Sequence, residues 1–112
     1  MKQGDLYNHH KNKEYWYDGI ALPISQLDKR HVAVSENGVA YDAATPEGEE
    51  PHQVQLYFSN GITFVDKETP HVVYQSEDDY DTDKVWVREV DEFFGMVKDK
   101  QGKLVRRFLK KD

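Results

Sequence analysis

The chain has 112 residues, a formal net charge of −6 at pH 7 and no cysteine. That length suits one domain with a modest core. An acidic chain gains nothing from the counterion release that drives duplex nucleic-acid binding, and the lack of cysteine excludes disulfides, thiolate metal sites and a cysteine nucleophile.

The opening stretch, GDLYNHHKNKEYWYDGIA (residues 4–21), reads as a hairpin. Residues 5–9 are a short strand and Lys11-Asn12-Lys13 a turn. Residues 14–21 alternate, which places Tyr15, Tyr17, Gly19 and Ala21 on one face and Trp16, Asp18 and Ile20 on the other. RHVAVSENGVAYDA (30–43) predicts a second hairpin, with Asn37-Gly38 supplying a type I′ turn. QVQLYFSNGITFV (53–65) repeats the device at Asn60-Gly61, with Val54, Leu56, Phe58, Ile62 and Phe64 expected inward. PHVVYQS (70–76) and KVWVRE (84–89) are further strands, and VDEFF (90–94) suits a short helical turn. GMVKDKQGKLVRRFL (95–109) closes the chain as a hairpin turning near Gln101-Gly102.

Two acidic stretches, ATPEGEEP (44–51) and SEDDYDTD (76–83), read as exposed loops. Short strands joined by turns, with no long helix and no repeat, predict an all-β fold: a small, partly open barrel or sandwich of short antiparallel strands, helical at most near residues 90–94. No apolar run approaches the ~20 residues that span a bilayer. The first residues lack the apolar core of a secretory signal. A soluble, cytoplasmic protein with no membrane partner is the expectation.

The histidines do not predict a metal site. His9 and His10 are adjacent, so on a strand they point to opposite faces. His31, His52 and His71 lack the close-spaced partners of local zinc sites. The acidic loop fails the EF-hand pattern: counted from Asp79, position 6 is Lys84 and position 12 is Val90. No nucleophile–base pair emerges, and neither a cofactor nor an enzymatic activity is expected.

Trp86 and Arg88 are two apart on a strand and share a face, a spacing that suits a cation over an indole. With Tyr7, His9 and Lys11 they suit a pocket for a planar or anionic ligand. A plain structural role suits them too, with Trp86 in the core and Arg88 capping it or pairing with a loop carboxylate. In KLVRRFLKK (103–111), alternation puts Arg106 and Phe108 on one face and Arg107 and Leu109 on the other. That basic run suits either a phosphate or a solvated terminal strand.

Several stretches together resemble a bacterial and phage family, the domain of unknown function 1653. Its opening pattern, G-x-Y-x-H-Y-K-G-x-x-Y-x-V-x-G-x-A, is matched in spacing at Tyr7, His9, Lys11, Tyr15, Gly19 and Ala21, with Gly4 one residue further upstream than the pattern's first glycine. VVYQ (72–75), WVRE (86–89) with Phe93, and GKLVRRF (102–108) resemble its later segments in order. The chain departs from the pattern at His10, Asn12 and Glu89. The resemblance implies family-like parts at residues 4–21 and 68–109, with an insert of two hairpins at about 22–67. It also implies a compact, mostly β domain with no assigned activity. Tyr7, His9, Lys11, Tyr15, Trp86 and Arg88 recur in it as a set, a shared core or a shared pocket.

The expected function is a non-catalytic binding module for a small anionic or nucleotide-like ligand, of the kind a phage protein uses to sequester a signal. The alternative is a protein-interaction module that docks through its acidic loops, resembling nucleic acid to its partner. An enzyme without a recognisable motif stands third. The oligomeric state is left open.

Overall fold

A computed structural model describes residues 4–11, 13–28, 32–79 and 81–111. Expectations for Asn12, His31 and Tyr80 lie outside the described residues. β1 (Leu6–His9) and β2 (Glu14–Pro23) form the expected opening hairpin, with Tyr7 opposite Tyr15. β3 (Ser35–Asp42), β4 (Gln53–Ser59), β5 (Ile62–Val65), β6 (His71–Ser76) and β7 (Trp86–Glu89) follow. Six of these strands close a barrel in the order β2-β5-β4-β3-β7-β6, shut by pairing of β2 with β6. The barrel is closed rather than partly open. Its β2–β5 and β3–β7 pairings are parallel, where antiparallel pairing was expected.

The expected helical turn is α1 (Val90–Phe93), and 3-10 turns form at Ile24–Gln26 and Glu77–Asp79. β8 (Met96–Lys98) and β9 (Leu104–Arg106) make a separate hairpin, and β10 (Phe108–Lys110) adds to β1 at the sheet edge. Among the described residues, no helix is long and apolar enough to cross a membrane.

β6 is buried along its whole length because it separates two cores. Val73 faces the barrel interior with Ala21, Ala40, Val54, Leu56, Val65, Val85 and Val87. Val72 and Tyr74 face outward onto Phe93 and Phe108, where Tyr7, Tyr15, Tyr17 and Trp86 pack against them. Period-2 alternation puts the odd and even residues of one strand into different cores.

Three sequence expectations are corrected. Tyr15 and Tyr17 do not share a face with Ala21: the tyrosines pack in the outer core and Ala21 in the inner one. A β-bulge between Tyr17 and Gly19 inserts one residue and switches the parity. Gly19 makes it possible with φ +129°, which side chains rarely adopt.

Asn37-Gly38 is not a hairpin turn. β3 runs through it with a bulge between Glu36 and Val39, and the β3–β4 connection is the acidic 43–52 segment. A type I′ turn needs two residues at positive φ. Gly38 has φ +75°, but among the described residues Asn60 is the only non-glycine with positive φ. Asn60-Gly61 is the turn expected, with φ of 51° and 81° and Ser59 opposite Ile62.

That pairing also corrects β5. Leu56 opposes Val65 and Phe58 opposes Thr63, so Thr63 and Val65 face inward. Phe64 is buried on the other face, and Ile62 and Phe58 are both exposed.

Candidate functional site

The outer core carries the candidate site. β1, β2, β6, β7 and β10 bring aromatic rings to one surface, and two arginines lie among them. Tyr15 meets Tyr74 and Phe108 edge-on, at 5.4 and 5.6 Å between ring centroids. His9, opposite Phe108 in register, lies 4.9 Å from that ring and 6.0 Å from Tyr15. Such edge-to-face contacts favour a rigid arrangement.

Arg88 stands opposite Val72 on β7, on the outer face with Tyr74 and Trp86. Its side chain is 14% exposed. Its Nη2 donates to the Ala43 carbonyl at 3.3 Å, and Nη1 lies 4.0 Å from the Glu92 carboxylate. Its Nε is buried with no partner among the described residues. Arg107, between β9 and β10, is held by backbone bonds: its N–H donates to Gly95 and its carbonyl accepts from His10. Its Nε is likewise buried and unpartnered among the described residues. Burial and the neighbouring Arg88 hold the Arg107 guanidinium below its usual range, with Glu92 opposing them.

The same field reaches His9. Burial, then His10, Arg88, Arg107 and Lys11, push its pKa down to about 4. His9 is thus neutral at pH 7, and its Nδ1 accepts the Lys11 backbone N–H at 3.2 Å. Burial raises the Tyr15 and Tyr74 phenols, against the pull of Arg88 on both.

His9, Lys11, Tyr15 and Arg88 therefore come together as neighbours. Tyr7, opposite Tyr15 in register, turns its ring to Tyr17, Phe93 and Phe94. Trp86 lies at the other edge, 5.8 Å from the Tyr41 ring. The cation over its indole is Lys84, at 5.1 Å from the centroid, where Arg88 was expected. A groove of about 710 Å³ beside the cluster is lined by His9, His10, Met96, Leu104, Arg106 and Leu109, not by Arg88.

Arg107 was missed as a site residue. Alternation places it in a basic run that suits either a phosphate or a solvated terminal strand, but β9 and β10 are separate strands that break at this residue. The signal was its place just before Phe108 in the closing segment of the family pattern.

The acidic 76–83 stretch is a built loop. Gln75, fully buried, donates through Nε2 to the carbonyls of Asp79, Thr82 and Lys84 at 2.9 to 3.0 Å. Trp16 Nε1 donates to the Glu77 carboxylate. Among the described residues, no three His, Asp or Glu side chains converge to hold a metal ion.

Residues 55–110 match the family described as protein of unknown function DUF1653. The matched stretch is half of the chain. The chain belongs to this family. The match runs from β4 through β10, so it covers Trp86, Arg88, Arg107 and Phe108 of the site and stops short of Tyr7, His9, Lys11 and Tyr15. It begins inside the segment expected as an insert. No curated protein and no solved structure matches the chain significantly.

Proposed function

We propose that this DUF1653 protein is a non-catalytic binding module whose outer face takes a small anion bearing a phosphate or carboxylate group. The observation that carries the reading is the pair Arg88 and Arg107. Two neighbouring guanidinium groups repel, and more strongly away from bulk water. Among the described residues one exposed carboxylate, Glu92, serves both, so the set keeps an excess positive charge. Among the described residues each guanidinium also keeps a buried N–H without an acceptor, a costly arrangement that an anion offsets. A planar base has aromatic rings beside the cluster to stack on, which makes a nucleotide-like ligand the natural extension. A phage-type sequestering role would be one use of such binding.

The test is calorimetric titration and thermal shift with inorganic phosphate, pyrophosphate and mononucleotides, on the wild type, Arg88→Ala and Arg107→Ala. A ligand that binds the folded state raises the melting point by linkage. A charge-assisted contact is worth about 1.5–3 kcal/mol, so either substitution should weaken binding ten- to a hundredfold. A ligand that binds all three proteins equally sinks the site. No binding by any of these anions shifts the reading to a protein partner at the acidic loops, 44–51 and 76–83.

A further inference from the structure

The barrel has an open end on its inner face, away from the arginine pair. A cavity of about 600 Å³ enters it between Asn37-Gly38 on β3 and Thr82-Asp83 before β7. Leu56, Val73 and Val85 of the inner core line it, as do Tyr41 and Thr63. A space of this size, apolar below and polar at the rim, has the proportions of a small-molecule site.

Asp18, Asp83 and Lys84 are the charged residues of its lining, and Asp18 is the one on the bulge of β2. The β2 bulge places Asp18 beside Gly19, on the rim of this cavity and of the smaller one that adjoins it. The carboxylate is half-buried and accepts no hydrogen bond among the described residues. Lys84 also lines the cavity, but its ammonium sits 5.5 Å from the Tyr41 ring centroid and 5.1 Å from that of Trp86. Burial pushes the Asp18 pKa up, against the pull of the chain's α-amino group. A half-buried carboxylate at an apolar mouth is destabilised as an anion, and a cation brought against it offsets that cost.

We propose that this barrel end binds a primary ammonium group on a short apolar stem, with Asp18 as its counter-ion and Leu56, Val73 and Val85 receiving the stem. The reading is independent of the arginine site, which lies on the opposite face of the barrel wall and favours the opposite charge.

The experiment is an NMR titration of isotopically labelled full-length protein with n-butylammonium. n-Butanol is the uncharged control, and an acetylated lysine amide tests whether a lysine side chain is accepted as well as a free amine. The ammonium should shift the resonances of Asp18, Leu56, Val73 and Val85 in a saturating way. It should also lower the midpoint at which the Asp18 carboxyl carbon titrates, a readout that needs no variant. Asp18→Asn should keep the fold and weaken butylammonium binding about tenfold, the scale of one charge-assisted contact. A lysine amide as effective as butylammonium identifies a peptide as the source of the amine; a weaker one identifies a free amine. Equal binding of butanol and butylammonium, equal binding by Asp18→Asn, or an Asp18 titration that butylammonium leaves unmoved would overturn the proposal.

Discussion

Phe93 and Phe108 stack face to face, with ring centroids 4.1 Å apart and planes 9° from parallel. Phe93 belongs to α1 and Phe108 to β10, neither of which is part of the barrel, and both rings are buried. The stack therefore fastens the C-terminal elements to the outer face of β6, where each ring also meets Tyr74. Phe108→Ala removes that fastening and leaves a cavity beneath His9 and Tyr15. Such truncations cost about 3–5 kcal/mol, a large part of the stability of a small domain. Urea denaturation should show this loss, and Phe108→Leu should recover much of it. A midpoint unmoved by Phe108→Ala would mean that β10 is not docked as described.

The bulge at Asp18 predicts a backbone effect without a steric one. A methyl group on Gly19 meets nothing within 4 Å. Its φ of +129° is nevertheless closed to side chains. Gly19→Ala should therefore destabilise through strain alone, by about 1–3 kcal/mol. Thermal unfolding of the single variant checks it. An unchanged midpoint would remove the bulge, and with it the reason Tyr17 and Ala21 face different cores.

Gln75 holds the acidic loop from below. Three carbonyls converge on one side-chain amide, which fixes its NH₂ toward them. Gln75→Leu keeps the volume roughly similar and removes the donors. The orphaned carbonyls must then turn to water or stay unpaired, a cost of about 1–3 kcal/mol. Hydrogen exchange should rise over residues 77–84 and stay low in β6 and β7. Uniform exchange across all three segments would show that the loop is held by something else.

Strand positions were largely legible, because alternation and the Asn60-Gly61 turn report local geometry. The faces were legible only where no bulge intervened. One extra residue at Asp18 or at Gly38 reverses every later side chain, and nothing in an alternating run announces it. Gly38 had the look of a turn because a left-handed glycine serves a bulge as readily as a hairpin. The site divides in the same way. His9, Lys11, Tyr15 and Arg88 come together from segments distant in sequence. The partnership of Trp86 with Lys84 depends on side-chain packing that spacing does not encode. Arg107 depends on a break between β9 and β10 that alternation reads straight through.

His9 reports on the arginine pair. Its pKa in the folded protein is about 4, below its ordinary value of 6.5. The unfolded chain therefore takes up this proton more readily than the folded one. The stability that neutral His9 preserves is complete above about pH 7, declines as the pH falls through 6.5, and is fully lost below about 4. Burial is the largest cause of the depression, and the charges of His10, Arg88, Arg107 and Lys11 follow. Removing one guanidinium should then return the pKa part of the way toward 6.5, not all of it. Arg107→Ala is the clean variant, since Arg88 also holds the Ala43 carbonyl. An anion between the arginines should act in the same direction, so that inorganic phosphate raises the His9 midpoint and proton uptake accompanies binding between about pH 4 and 6.5. The imidazole resonances of His9, followed by NMR against pH with and without phosphate, measure both effects. If Arg107→Ala moves the midpoint and phosphate does not, the field is real and phosphate does not occupy it. If neither moves it, His9 is set by burial alone, and the arginine pair is not the site.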